Sequence, residues 1–219
     1  MPMPWRSSAR HWTQRPPDVP KALSEQETEA FRERLCDAAA RIYVDEGPAA
    51  VTLRRLAGEL GVGTMTPYRY FRNKEEIITA VRTRGLDRFS EALERALESP
   101  GDGRTRSRAV RDAYIAFARE NTATYRLMFE YPESRRDDPA YRQAHERMWR
   151  TIAAHVEVMI AEGTVAADAD APIIGHQIWA SLHGAIMLEI AGMLPPGYDA
   201  ASLHTRTVSA VFDAAKPAR

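Results

Sequence analysis

The sequence predicts an all-α fold of about nine helices, and three observations lead to this prediction. Apolar residues recur every three or four positions through most of the chain, which is the spacing of one buried helix face. No stretch of any length alternates apolar and polar residues as a half-buried strand does. Glycine- and proline-rich segments interrupt the helical pattern, for example at 99–103 and 194–199.

The composition is that of an ordinary globular protein. Of the 219 residues, 44% are hydrophobic and 27% are charged, and the formal net charge is zero. A nucleic-acid site would therefore have to be a local basic patch. Cys36 is the only cysteine, which excludes an intramolecular disulfide and a cysteine-based zinc site. With no apolar run of signal-peptide or membrane-spanning length, we expect a cytoplasmic protein that does not enter membranes.

Residues 1–24 are rich in proline, serine and arginine and lack helical periodicity, so we expect a flexible arm. The arm is basic, with four cations against one carboxylate: Arg6, Arg10, Arg15 and Lys21 against Asp18. Two interpretations stay open. The arm is either a disordered leader or a basic segment that contacts a DNA backbone or minor groove.

The first two helices carry clear end signals. Ser24 and Glu27 form the S-x-x-E capping box that begins the first helix, and Gly47-Pro48 ends it. Thr52 is the expected N-cap of the second helix, and Gly61 follows it where a left-handed C-cap is expected.

The stretch GVGTMTPYRYF at 61–71 predicts a turn followed by a short or distorted helix, which completes a helix-turn-helix layout with the second helix. Pro67 leaves the start of that helix open, because proline removes an amide donor and disfavours helical geometry at Thr66. Thr66 is either the N-cap with Pro67 as first helical residue, or the helix starts at Gly63. The surrounding surface is basic, with a local charge of +4 from Arg54, Arg55, Arg69, Arg72 and Lys74 against Glu59.

Residues 28–82, and above all TLRRLAGELGVGTMTPYRYFRNKEEI, resemble the DNA-binding signature of the TetR family of bacterial transcription regulators. The match includes Tyr68, Tyr70, Phe71 and Lys74. The run WASLHGAIMLEIAG also resembles a TetR-associated ligand domain whose signature joins Trp, His and Gly, here Trp179, His183 and Gly184. The chain departs from the family pattern at Gly63, where a serine-like cap is usual, and at Pro67, where an aliphatic residue is usual.

The resemblance implies DNA-contacting roles for individual residues. Phosphate contacts are implied for Thr52, Tyr68, Tyr70 and Lys74, and the exposed start of the reading helix offers Thr64, Met65 and Thr66 to base edges. The local charge adds Arg54 and Arg69. Phe71 is expected in the core.

A long helix with Gly85 at its middle is expected from about 73 to 98, where the glycine either permits bending or satisfies packing. Further helices are expected near 105–120, 122–130, 138–162, 171–193 and 201–215. Large adaptable side chains in this part either form the core or line an effector pocket. The candidate ligand-binding residues are Phe117, Tyr125, Met128, Phe129, Trp149, Trp179 and His183.

No catalytic, metal-binding or phosphate-loop motif is present, so we expect no enzyme activity, metal or cofactor. Small residues in the last two helices indicate a homodimer formed as a four-helix bundle.

We expect an arm at 1–24, a DNA-binding domain at 25–72 and a ligand-binding and dimerisation domain at 73–219. The predicted function is a transcriptional regulator, a repressor released from a palindromic operator DNA by a small apolar or amphipathic effector. The alternatives are a ligand-binding or catalytic helical protein and a non-specific DNA-packaging protein.

Overall fold

The computed structural model describes residues 24–131 and 138–217, so the predicted arm lies outside the described residues except for Ser24. Within these ranges the chain forms eight α-helices, two short 3₁₀ turns and no strand, which confirms the all-α fold. The α-helices are α1 Glu25–Glu46, α2 Leu53–Glu59, α3 Lys74–Leu97, α4 Gly103–Glu120, α5 Thr122–Glu130, α6 Pro139–Ala161, α7 Ala171–Ile190 and α8 Ala200–Ala214. The 3₁₀ turns are Pro48–Ala50 and Pro67–Arg69.

The eight α-helices of the described residues are close to the expected count of about nine, and the short or distorted reading helix expected from the sequence is the 3₁₀ turn Pro67–Arg69. Pro67 has no amide to donate to the carbonyl of Gly63, so an α-helical ladder cannot run through this position. Instead, the amide of Thr66 donates to the carbonyl of Gly63 at 2.8 Å.

The predicted helix ends are confirmed. Ser24 and Glu27 form both bonds of the capping box, and the Thr52 hydroxyl accepts from the amide of Arg55 at 3.1 Å. Gly61 has a φ of 63°, a left-handed conformation that glycine adopts without steric cost. The amide of Val62 donates to the carbonyl of Ala57, and the amide of Gly61 donates to the carbonyl of Gly58, as in a Schellman motif.

Two hydrophobic cores meet along α3 and α5. The first core lies between α1, α2 and the beginning of α3, and it also contains Leu127 and Tyr131 from α5 and its end. The second core lies between the rest of α3 and helices α4, α6 and α7, and it contains Tyr125 and Met128 from α5. Opposite faces of the nine-residue helix α5 therefore belong to different cores. The boundary expected at 72–73 falls just before α3, whose first turns are buried in the N-terminal core.

Gly85 provides the space in which α5 packs on α3. A Cβ atom at this position would lie 2.6 Å from Sδ of Met128 and 2.8 Å from Cγ2 of Thr124, both closer than side chains normally approach. Since α3 is one continuous helix from Lys74 to Leu97, the glycine serves packing here, which is one of the two roles considered from the sequence.

Candidate nucleic-acid interface and internal cavity

The stretch 63–71 forms a compact turn that follows α2 and packs against it. After the bond from Thr66 to Gly63, the carbonyl of Pro67 accepts from the amides of Tyr70 and Phe71, each at 3.0 Å. Thr66 has helical dihedral angles and its side chain makes no capping bond, so it is not an N-cap in the usual sense. The 3₁₀ turn nevertheless starts at Pro67, the first of the two starts that the sequence left open.

The turn exposes one edge and buries the other. Met65 is 71% exposed and Tyr68 is 46% exposed, and Thr64 and Arg69 are also exposed. Pro67 is buried. Two large apolar or amphipathic side chains held in solvent next to a threonine and an arginine form a surface that can contact a groove and its phosphates.

Tyr70 is less exposed than Tyr68, because it packs against α1. Its ring is half-buried and packs on Phe31 with a centroid distance of 4.8 Å, and its carbonyl accepts from Nη1 of Arg32 at 2.9 Å. The same guanidinium lies 4.5 Å from the ring centre of the buried Phe71. This clamp fixes the turn relative to α1.

Ion pairs reduce the basic patch that the sequence predicted. Arg55 lies 2.7 Å from a carboxylate oxygen of Glu46 and 2.8 Å from one of Glu59, and these bonds raise its pKa. Arg72 likewise pairs with Glu76, and Nζ of Lys74 donates to the carbonyl of Pro48. Three of the five cations make no ion pair within the described ranges: Arg54, Arg69 and Lys74. Lys74 is half-buried and held by its bond to Pro48, whereas Arg54 and Arg69 are exposed. They are the cations most available to phosphates.

In the C-terminal bundle, several of the predicted ligand-binding residues form one packed aromatic cluster. The hydroxyl of Tyr125 lies 2.7 Å from Nδ1 of His183 and 2.9 Å from the hydroxyl of Tyr114. Burial raises the pKa of both tyrosines and lowers that of His183. The rings of Trp179 and His183 stack at 5.1 Å, and the rings of Trp149 and Trp179 meet edge to face at the same distance.

A small, partly open cavity lies beside this cluster, lined by residues of α3, α4, α6, α7 and α8. Its accessible volume is about 30 Å³, and its wall includes Tyr114, His155, Trp179 and His204. Trp179 is the one predicted ligand-binding residue among its lining residues. Phe129 packs against His183, Met128 fills the space at Gly85, and Phe117 lines a separate groove against α3. The structure thus brings the predicted residues together mainly as core.

Several residues at this cavity and at the groove next to it were missed from the sequence. Burial lowers the pKa of His155 to about 4, although the nearby carbonyl of Ile152 favours its charged form. Burial also lowers the pKa of His204 to about 4, with Arg111 and His155 as further causes. Both histidines fall on helices whose neighbours the sequence does not reveal. The run GRTRSRAVR at 103–111 was a visible signal, since it places three arginines on one side of α4.

The observed arrangement is that of a helix-turn-helix head whose core shares α3 and α5 with a larger helical bundle. The model for bacterial regulatory proteins of the tetR family matches residues 35–81, and the model for the tetracyclin repressor-like C-terminal domain matches residues 107–211. The chain belongs to the tetR family. These matches do not distinguish the Trp-His-Gly subtype that the sequence suggested.

Of two curated relatives, one is a transcriptional activator and the other a transcriptional repressor. The chain is 33% identical over 99 residues to the HTH-type transcriptional activator FasR of Mycolicibacterium smegmatis, covering 45% of each chain. It is 38% identical over 97 residues to the HTH-type transcriptional repressor DrrR1 of Streptomyces coeruleorubidus, covering 43% of this chain and 31% of the relative. The matches thus span less than half the length of either relative.

Solved structures support the fold. A protein of unknown function from Rhodococcus sp. RHA1 superposes with a TM-score of 0.74 at 24% identity, covering 91% of this chain and all of that one. FadR of Bacillus subtilis, solved in complex with stearoyl-CoA, superposes with a TM-score of 0.69 at 15% identity. The superposition covers 82% of this chain and 97% of that one. No helix in the part of the chain that the structure describes is long and apolar enough to span a membrane.

Proposed function

We propose that the protein is a ligand-responsive transcriptional regulator, a repressor that leaves a palindromic operator DNA when a small effector binds its C-terminal bundle. The observation that supports this most is the exposed edge of the turn at 63–71, within a segment that matches the tetR-family model. The relative DrrR1 is a repressor by name, and FadR was solved with stearoyl-CoA on the same fold.

The roles of the head residues follow from their exposure and pairing. Thr64 and Met65 meet base edges, since they are the exposed residues at the start of the turn, and Thr66 stands behind them half-buried. The hydroxyl of Tyr68 and the guanidinium groups of Arg54 and Arg69 meet phosphates.

Three further phosphate contacts come from groups that also stabilise the head. The hydroxyl of Thr52 caps α2. Nζ of Lys74 donates one N–H to the carbonyl of Pro48 and has two further N–H donors for a phosphate. Tyr70 has a half-buried ring, and we expect its hydroxyl to donate to a phosphate. Substituting these residues changes both the fold of the head and DNA affinity, so they are weaker probes than Arg69.

Effector binding reaches the head through α3 and α5. Both helices contribute side chains to both cores, so a movement of α5 against α4 and α7 displaces Leu127 and Tyr131 in the N-terminal core. An effector that binds better to the displaced state lowers operator affinity by the same factor, as thermodynamic linkage requires.

The dimer forms through the outer face of α7. Ile173 and Leu188 are 56% and 42% exposed, and between them this face exposes the small residues Ala180 and Gly184. Small residues flanked by large apolar ones permit close packing against a second copy. To read a palindrome on successive turns of DNA, the two heads of this dimer must lie about 34–36 Å apart.

The function is tested by fluorescence anisotropy with the DNA that flanks the gene and with random DNA of equal length. The flanking DNA is expected to bind tighter by about 10³ or more. Arg69→Gln should reduce the slope of log K against log[salt] by about 0.9 for each phosphate that Arg69 neutralises in the parent complex. Arg55→Gln is the matched control, because Arg55 is already paired with Glu46 and Glu59. Equal affinity for both DNAs would favour a packaging protein, and no binding to either would favour a ligand-binding or catalytic protein.

A further inference from the structure

A basic groove between α4 and α8 adjoins the small cavity described above. The groove has an accessible volume of about 170 Å³, with Arg104, Arg108 and Arg111 of α4 on one side and Val208 and Phe212 of α8 on the other. Ser107, Arg111 and His204 line both the groove and the cavity, so the two spaces adjoin.

The groove has more positive charge than its own carboxylates neutralise. Arg104 and Arg108 make no ion pair in the ranges that the structure describes. Arg111 lies 2.7 Å from Asp112 and also donates to the hydroxyl of Thr205 at 3.1 Å. Asp213, the one carboxylate that lines the groove within those ranges, lies 2.6 Å from Nζ of Lys216. An anion is therefore the complementary occupant.

The wall of the cavity behind the groove is mainly apolar, but three of its residues carry a buried polar atom without a hydrogen-bond partner among the described residues: Nδ1 of His155, Nε1 of Trp179 and Nδ1 of His204. Its wall includes Leu93, Ile152, Ile178 and Leu182. His204 is only 2% exposed, and its Nδ1 atom has no hydrogen-bond partner among the described residues. Buried polar atoms are normally satisfied, so an unsatisfied one on a cavity wall indicates a polar ligand group at that place.

We propose that the effector is an amphipathic anion, with its carboxylate or phosphate between Arg104 and Arg108 and its apolar group beyond Ser107 in the cavity. A polar atom of the effector, next to its carboxylate or phosphate, forms a hydrogen bond with His204. This assignment rests on the proposed regulatory function and specifies its ligand. A volume of 30 Å³ holds about one water molecule, so the apolar group must separate α4 from α6 and α7 to enter. Leu93 of α3 lies on the same wall, so this separation acts directly on the helix that leads to the head.

Calorimetric titration of the full chain without DNA tests the charge of the ligand. The probes share one tail and differ in the head: octanoate, octyl phosphate, 1-octanol and octylammonium. At least one anion is expected to bind about tenfold or more tighter than 1-octanol, and octylammonium should bind weakest. Preference between octanoate and octyl phosphate identifies the head group. Equal binding of all four probes, or no binding, would overturn the assignment.

Variants test the location. Arg104→Gln with Arg108→Gln should weaken the anion by about tenfold or more and leave 1-octanol within about twofold. Arg88→Gln with Arg95→Gln is the matched control, since these α3 arginines line another groove that also contains Glu91 and Glu120. Ser107→Phe, which blocks the passage between groove and cavity, should weaken all four probes. Unchanged anion binding in the Arg104 and Arg108 variant would place the ligand elsewhere.

DNA binding is measured separately on the same preparations. Operator binding without any anion binding would refute the ligand assignment and leave the regulator intact. Anion binding at this groove without operator binding would support the ligand site while refuting the regulatory function.

Discussion

The guanidinium group of Arg82 donates to the main-chain carbonyl of Met128, with distances of 3.0 Å from Nη2 and 3.3 Å from Nε. Met128 lies in the last turn of α5, where carbonyl groups have no partner within the helix. Arg82 is 7% exposed, and its guanidinium also lies 4.8 Å from the ring centre of Tyr141 on α6. One side chain of α3 therefore joins α5 and α6 at the junction of the two cores.

Arg82→Met should lower the free energy of unfolding by about 2–3 kcal/mol, because a buried carbonyl loses a charged donor while most of the apolar volume remains. Urea unfolding followed by circular dichroism measures this. Arg88→Met removes an exposed arginine of the same helix, which donates to Asn121 at 3.2 Å, and should cost about 0.5 kcal/mol or less. Equal losses in the two variants would contradict the role given to Arg82.

Overpacking against Thr124 and Met128 should cost about 1–3 kcal/mol, so that Gly85→Ala lowers the free energy of unfolding by up to about 2 kcal/mol after the helix-propensity gain of about 1 kcal/mol. Thermal unfolding measures the effect. Combining it with Met128→Ala should cost less than the two changes summed, because the shorter side chain relieves part of the clash. The control is Gly58→Ala in α2, where a Cβ meets no atom within 4 Å and stability should rise. A stabilising Gly85→Ala would show that packing does not require the glycine.

Stability should fall on acidification from about pH 6.5 to 4. Burial lowers the pKa of His155 and His204 to about 4, whereas unfolded histidine titrates near 6.5. In this window the unfolded chain binds protons that the folded chain does not, which destabilises the fold by up to about 3 kcal/mol per histidine. The double variant His155→Gln with His204→Gln should show a shallower pH dependence in urea titrations. Gln177→Ala, at an exposed position on α7 that does not titrate, should keep the parent's pH dependence. The same slope in parent and double variant would refute the assignment.

Gly184→Arg should convert the dimer to a monomer, because it places a long cation in the centre of the proposed α7 interface. Light scattering after size-exclusion chromatography measures the mass. Ala116→Arg, at an exposed position on α4, should leave the mass unchanged. A dimeric Gly184→Arg protein with parental dissociation would place the interface on another surface.

The C-terminal half shows where sequence reasoning reached its limit. The aromatic and histidine content indicated an adaptable bundle, and Tyr125, Trp179 and His183 do lie together. Composition did not distinguish residues that fill the core from residues that line the cavity, because that depends on which helix faces oppose each other. The two buried histidines come from helices about fifty residues apart, so no local pattern connects them.

The sequence by itself determined the all-α class, the helix ends at Ser24, Thr52 and Gly61, and the membership of the head in its family. Each of these depends on bonds between residues at most five positions apart, or on a motif that is contiguous in the chain. Tertiary structure alone decided that Glu46 and Glu59 neutralise Arg55, that α5 belongs to both cores, and that the arginines of α4 face α8. These outcomes depend on how distant helices approach one another, and that is set by the packing of the whole chain.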